Sequence, residues 1–260
     1  MSDPIIKIAD DFWNIRGSFK IGGLIDVGTQ ASLVRMGNGK YVFLDACTFN
    51  SRVKSEIDEI TRGGEDIEAI INVHPFHTVY VEKMFEAYPQ VSLYGTARHR
   101  SLLPDLPWEK ISVEDARFHA TFADDFDFSV PRGVDFISGN DKVHFSSVLV
   151  YHRPSKTIHV DDTLMYIRLP IALRLFGLTD AFSFHPTLDK ALEKRAGAAS
   201  DFRNWATSLA ERWKEATSLC AAHTATLTDI AKRSLTIEER ILKALDKVSD
   251  TLESHAKKYG

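Results

Sequence analysis

A chain of 260 residues, 44% hydrophobic and 26% charged, can bury a full core without help from disulfides or metals and does not read as disordered. The formal net charge of -4, from 32 basic and 36 acidic residues, excludes the basic footprint that nucleic-acid binding requires. The densest basic clusters are only pairs, Lys232-Arg233 and Lys257-Lys258, which fit solvated helix faces.

The N-terminus, MSDPIIKIADDFW, carries acids where a signal peptide would carry a basic region. Residues 29–35 and 41–46 flank Asn38-Gly39, a strong hairpin signal because both positions tolerate positive φ. The second arm, YVFLDAC, is a continuous apolar run ending in Asp45, as in a strand buried on both faces. A helix is expected from about Asn50 to Thr61, stopped by Gly63-Gly64. AIINV (69–73) and VSLYG (91–95) read as further strands, separated by NVHPFHTVYVEKMFEAY, whose later part has helical spacing. This alternation of strand and helix favours an α/β layered fold.

Residues 117–162 turn strand-rich, with Arg153-Pro154-Ser155 as a hairpin turn. Beyond Thr163 the pattern is helical over 165–176, 187–196, 199–217 and 235–257, interrupted by a strand-like SLCAAH at 218–223. The longest apolar run, LPIALRLFGL at 169–178, holds Arg174 and is half the roughly 20 residues that span a bilayer. It reads as core, as a cap over a site, or as a dimer surface, and the cap is preferred. Cys47 and Cys220 sit far apart in apolar stretches, so two reduced, buried thiols are expected. With no repeat and no polar linker, one domain over 1–260 is expected, in the cytoplasm, with neither membrane nor nucleic acid as partner.

GxSxG, GxxxxGK[ST] and GxGxxG are all absent. DDFDF (124–128) lacks the glycine and terminal glutamate of a calcium loop. What remains is a set of histidines and aspartates at expected strand ends: Asp45, His74, His144, Asp162 and His223. In layered α/β folds ligands gather where strand ends meet loops, and imidazole and carboxylate are the usual ligands of zinc and iron. His99, His119, His152, His159 and His255 lack such a context and read as surface or packing residues, with His185 as a reserve ligand.

In this order the motifs resemble the metallo-β-lactamase-fold superfamily over about residues 10–230. VFLDAC matches its early strand with Asp45, NVHPFHTVY its histidine loop, HFSSVLVYH its next histidine through His144, and HVDDTL its bridging aspartate through Asp162. Thr207-Ser208-Leu209 leads through SLCAAH to its last histidine, His223. Asp161 stands where the family has glycine, and could replace Asp162 if the register slips by one. The resemblance implies a four-layer αββα sandwich, here with a helical insert at 165–206 and a C-terminal helix at 235–260. The loop departs from the family's H-x-H-x-D-H: only His74 and His77 remain, separated by Pro75-Phe76, so one histidine and the aspartate are lost.

The ligand set implied is His74, His77, His144, Asp162 and His223 or a subset, with Asp162 also catalytic. That set holds at most one divalent metal: zinc first, iron or manganese as alternatives, or none. Asp45 is expected to tie down the histidine loop by hydrogen bonds. The function implied is hydrolysis of a small-molecule ester, amide, thioester or phosphodiester by metal-bound water. The alternative is a silent scaffold of the same fold that binds a small molecule or a protein partner.

Overall fold

A computed structural model describes residues 4–18, 20–21, 25–26, 28–169, 176, 180–222, 225–228 and 235–260. The chain divides into two compact units, residues 1–127 with 152–155, and residues 128–151 with 156–260.

The first unit is built on a six-stranded sheet ordered β1-β2-β5-β6-β7-β8. Its strands are β1 Ile5–Ala9, β2 Phe12–Gly17, β5 Thr29–Arg35, β6 Tyr41–Leu44, β7 Ile67–Ile71 and β8 Ser92–Tyr94; β3 Lys20–Ile21 and β4 Ile25–Asp26 form a separate short pair. The Asn38-Gly39 hairpin is present: Gly39 takes a φ of 83°, and the Asn38 side chain accepts the Lys40 N–H at 2.9 Å. It sets the antiparallel register Ser32↔Leu44 to Arg35↔Tyr41. Helix α1, Ser51–Ile60, starts where the Asn50 side chain accepts the Val53 N–H at 2.9 Å and ends at Thr61, before the positive-φ Gly63 and Gly64. Gly64 is required there, since a Cβ would stand 2.6 Å from the Tyr88 ring.

Beyond the hairpin the sheet turns parallel. Leu44 pairs with Ile71 and Ile71 with Tyr94, so β6, β7 and β8 end together. Helices α2, Val81–Ala87, and α3, Ala97–Leu102, follow β7 and β8. Ile15, Leu33, Phe43, Val53, Ile57, Ile70, Met84 and Leu93 pack as one buried cluster. Each such side chain contributes roughly 1.5–3 kcal/mol by leaving water.

The second unit carries the sheet β15-β14-β11-β10-β9. Its strands are β9 Phe126–Ser129, β10 Leu149–His152, β11 Thr157–Val160, β14 Ser218–Ala221 and β15 Thr226–Leu227. The unit boundary falls inside β9 and at the end of β10. Helices α5 Leu188–Ala191, α6 Ala198–Arg212, α7 Ile237–Lys247 and α8 Ser249–Tyr259 complete it. A Thr236–Glu239 capping box starts α7. Phe145, Phe184, Phe202, Trp205, Leu209 and Ile241 anchor its core.

Three expectations are corrected. The start of the segment 117–162, read as strand-rich, lies in helix α4, Ala116–Thr121, because the Asp115 side chain caps it by accepting the Arg117 N–H at 2.9 Å. Residues 165–167, the start of the segment 165–176 read as helix, belong to β12, Leu164–Ile167, paired antiparallel with β13, Ala181–Phe184. Leu164 and Tyr166 are buried while Met165 and Ile167 are not, so a period of two prevails over the helical one. The expected helix at 187–196 shrinks to α5. The cap segment 169–178 falls largely on residues outside those described. Among the described residues no helix is long and apolar enough to cross a membrane. Cys47 and Cys220 are free and buried, and burial, with Asp45 beside it, pushes the Cys47 thiol far above its ordinary range.

Candidate functional site

The C-terminal ends of parallel strands are where an α/β sheet presents side chains to a ligand. In the first unit β6 is followed by Asp45, a buried residue at φ 60°, a conformation that non-glycine residues rarely adopt. Its carboxylate accepts the Val73 N–H at 2.8 Å, while its own N–H bonds the Ile71 carbonyl at 2.9 Å. Asp45 therefore ties down the entry to the histidine loop, as expected from the sequence.

The loop after β7 is pinned residue by residue. Asn72 donates from its backbone and its side chain to the Tyr94 carbonyl, both at 3.0 Å. The His77 N–H reaches back to the His74 carbonyl at 3.1 Å, closing a turn with Pro75 and Phe76 at its centre. Proline suits the first central position because its φ is already set. The turn stacks the two imidazoles, with centroids 4.0 Å apart and planes at 19°, and brings a ring nitrogen of each within 4.8 Å of the other. His74 is fully buried and His77 half-buried.

Below the exit of the turn lies His99, whose Nε2 is 3.4 Å from the His77 carbonyl. Burial drives its pKa down to about 3, against the hydrogen bond to His77, so it is neutral across the working range. The sequence reading set His99 aside. The signal was there in Thr96-Ala97-Arg98-His99, a T-x-x-H version of the capping box.

In the second unit β11 runs parallel to β14 with Val160 opposite Ala221, so Asp161 and Asp162 follow one strand end beside the other. Both aspartates are buried, and Asp161 lies with His159 within 4.8 Å, measured between their ligand-type atoms. Thr163 bridges two motifs: its hydroxyl donates to the Phe145 carbonyl at 2.9 Å and accepts the Ser147 N–H at 3.0 Å. The His144 and Asp162 segments are thereby joined. The His144 ring itself meets the Asp141 carbonyl, and β10 begins only at Leu149. Among the described residues His144 and His185 belong to no group of three or more ligand-type side chains close enough to share an ion. His223 lies outside the described residues.

Comparison with solved structures decides the fold. The metallo-β-lactamase from Erythrobacter litoralis with β-mercaptoethanol in its active site matches with a TM-score of 0.60 at 11% identity, over 96% of each chain. That from Pontibacter korlensis gives 0.56 at 13%, over 93% of this chain and 98% of its own. DIM-1 metallo-β-lactamase exposed to ceftazidime gives 0.58 at 14%, over 94% and 97%. This chain has the metallo-β-lactamase fold. No family model and no curated protein matches it.

The fold carries His/Asp groups whose donor types fit a divalent ion. One bond runs against the fit. His74 Nδ1 accepts the Phe76 N–H at 3.1 Å, so the single proton of a neutral imidazole sits on Nε2. Ligating histidines use one nitrogen for the metal and donate a proton from the other. To ligate, His74 must give up the Phe76 bond, either by moving its proton to Nδ1 and offering Nε2 or by offering Nδ1 itself.

Proposed function

We propose that this chain is a metal-dependent hydrolase that works with at most one divalent ion. The ligands we propose are those that the sequence marks: His74, His77, His144, Asp162 and His223 or a subset. The observation that carries this reading is the histidine turn: a turn hydrogen-bonded at its entry, centre and exit holds two imidazoles ring to ring at 4.0 Å. Two imidazoles and a carboxylate are three ligands of the types a catalytic zinc takes, leaving a fourth position open. The loop lacks the family's third imidazole and its aspartate, which supports one ion rather than two.

A bound ion of this class lowers the pKa of a water and polarises a carbonyl or phosphoryl oxygen. The chain's own work is positional. Asp45 fixes where the turn begins, Pro75 and Phe76 set the spacing of the rings, and Asp162 takes the proton of the attacking water. The substrate class is a small ester, amide, thioester or phosphodiester.

Zinc titrated into chelator-stripped protein at pH 7.5 should stabilise it by about 2.7 kcal/mol at a hundredfold excess over Kd, read from the melt. The gain should be much smaller at pH 5.5, because an imidazole must be neutral to ligate and protons then compete with the ion for it. Hydrolysis of p-nitrophenyl acetate or bis(p-nitrophenyl) phosphate should depend on zinc and be lost in Asp162→Asn. Two equivalents of metal surviving dialysis against a mild chelator would overturn the single-ion reading. The Phe76–His74 bond favours a second reading, a metal-free scaffold binding a small molecule or a protein; a melt indifferent to metal at both pH values would establish it.

A further inference from the structure

We propose that His99 is a positioning residue for the histidine turn, a fixed N–H donor that sets the direction in which the His77 imidazole leaves the backbone. This rests on the reading of His77 as a metal ligand. His99 is fully buried at the third position of α3. Its Nδ1 accepts the Thr96 N–H at 3.2 Å and touches the Thr96 hydroxyl at 2.9 Å. A neutral imidazole that accepts at Nδ1 carries its proton on Nε2, and Nε2 faces the His77 carbonyl at 3.4 Å. The ring can only donate there.

The consequence for His77 is geometric. Its N–H is bound to the His74 carbonyl, which restrains φ, and its carbonyl is bound to His99, which restrains ψ. With both torsions held, the Cα–Cβ vector of His77 is fixed and only side-chain rotations remain. His99 is itself held from outside the turn. Its ring lies 5.8 Å from that of Trp108, whose Nε1 donates to the Leu103 carbonyl at 2.7 Å. Gly95 makes room for both, since a Cβ there would stand 2.6 Å from the Trp108 ring and 2.9 Å from His99 Cβ. Partners that orient a ligating histidine typically change metal affinity 10- to 100-fold when removed.

Imidazole ¹⁵N NMR of the metal-free protein should show the His99 proton on Nε2; a proton on Nδ1 overturns the proposal. His99→Leu keeps bulk without the donor, and His99→Gln keeps an N–H at similar reach. Zinc Kd, measured against a chromophoric chelator, should weaken about tenfold or more in His99→Leu and return to within about threefold of wild type in His99→Gln. Equal affinity in all three proteins overturns the proposal. Equal weakening in both variants, tracking the melting temperature of the stripped protein, also overturns it by assigning a purely structural role. If wild type binds no zinc, the metal reading fails, whereas the tautomer and the His77 carbonyl ¹³C shift in His99→Gln still decide whether His99 holds the turn. Should His99→Leu not fold, those two spectroscopic readings decide alone.

Discussion

The turn from Asn72 to Thr78 carries two histidines that the sequence marks as ligands and the stretch from Asn140 to Ser147 carries one, yet they are held by different means. The turn is fastened from far along the chain: Asp45 holds Val73, Tyr94 holds Asn72, and His99 holds His77. The second stretch is fastened locally at its start, through Val143 N–H to the Asn140 carbonyl at 2.9 Å and the His144 ring to Asp141. Its bonds to other segments join Phe145 and Ser147 to Thr163 and the Ser146 hydroxyl to the Asp135 carbonyl at 2.9 Å. Side chains fixed by distant partners arrive already placed when the core folds.

The largest test of this contrast is ligand removal. His77→Ala should cost about a thousandfold in zinc affinity, about 4 kcal/mol, because it removes one of few protein ligands from a placed pair. His144→Ala should cost less than about tenfold. Equal losses, measured by chelator competition, would mean that His144 is as well placed as His77 and that the contrast has no functional meaning.

The acid response sharpens the same distinction between side chains that the core holds and those it does not. His152 is buried between Phe12 and Phe126, at 5.9 and 5.2 Å, with Nδ1 on the Ser155 hydroxyl at 2.8 Å. Burial lowers its pKa to about 4, against the attraction of Asp125. A histidine whose folded pKa lies below its unfolded value of about 6.5 stabilises the fold only while it is neutral. Stability should therefore decline by about 1.4 kcal/mol per pH unit from about 6.5 and level off near 4, a loss of about 3 kcal/mol. His99 follows the same rule with a folded pKa of about 3. Denaturant melts of His152→Leu should keep only the part of that slope due to His99; an unchanged slope would sink the assignment.

Asp45→Ala should destabilise the protein by about 2 kcal/mol, since it leaves the buried Val73 N–H without its charged acceptor. Asp45→Asn keeps an oxygen acceptor and tolerates positive φ, so it should lose less than about 1 kcal/mol. A large loss in both variants would indicate that the charge, rather than the hydrogen bond, holds the turn.

How much of this was legible depends on whether the signal was local. Asn38-Gly39, the α1 stop at Gly63-Gly64 and the Pro75-Phe76 turn are each set by backbone preferences of a few adjacent residues, and each is present in the structure. The tie from Asp45 to the histidine loop was also readable, because a family resemblance placed two distant strands side by side. Local pattern failed where a neighbour chose between two periods: LMYI at 164–167 suits helix or strand, and pairing with β13 selects strand. His99 was missed because its role lies in what its ring reaches across 22 residues, which spacing alone does not encode. His144 was matched by motif, and a motif says nothing about the carbonyl its ring will find.

The smallest expected effect bears on the most pinned residue. Phe76 donates its N–H to His74 Nδ1, and this bond and metal ligation by His74 exclude each other. If the ion takes Nε2, the ring proton must move to Nδ1, which then cannot accept; if it takes Nδ1, the lone pair is already used. Either way the Phe76 amide loses its acceptor, at a cost of about 1 kcal/mol, small beside the free energy of binding a divalent ion. Zinc should thus raise the stability of the whole protein while the Phe76 amide alone exchanges faster with solvent, by about fivefold for a loss of about 1 kcal/mol. Amide exchange followed by NMR, with and without zinc, reads this residue against Val73, whose bond to Asp45 is untouched by ligation. Unchanged or slower exchange at Phe76 under saturating zinc would show that His74 keeps its present tautomer, leaving His77 to bind without it.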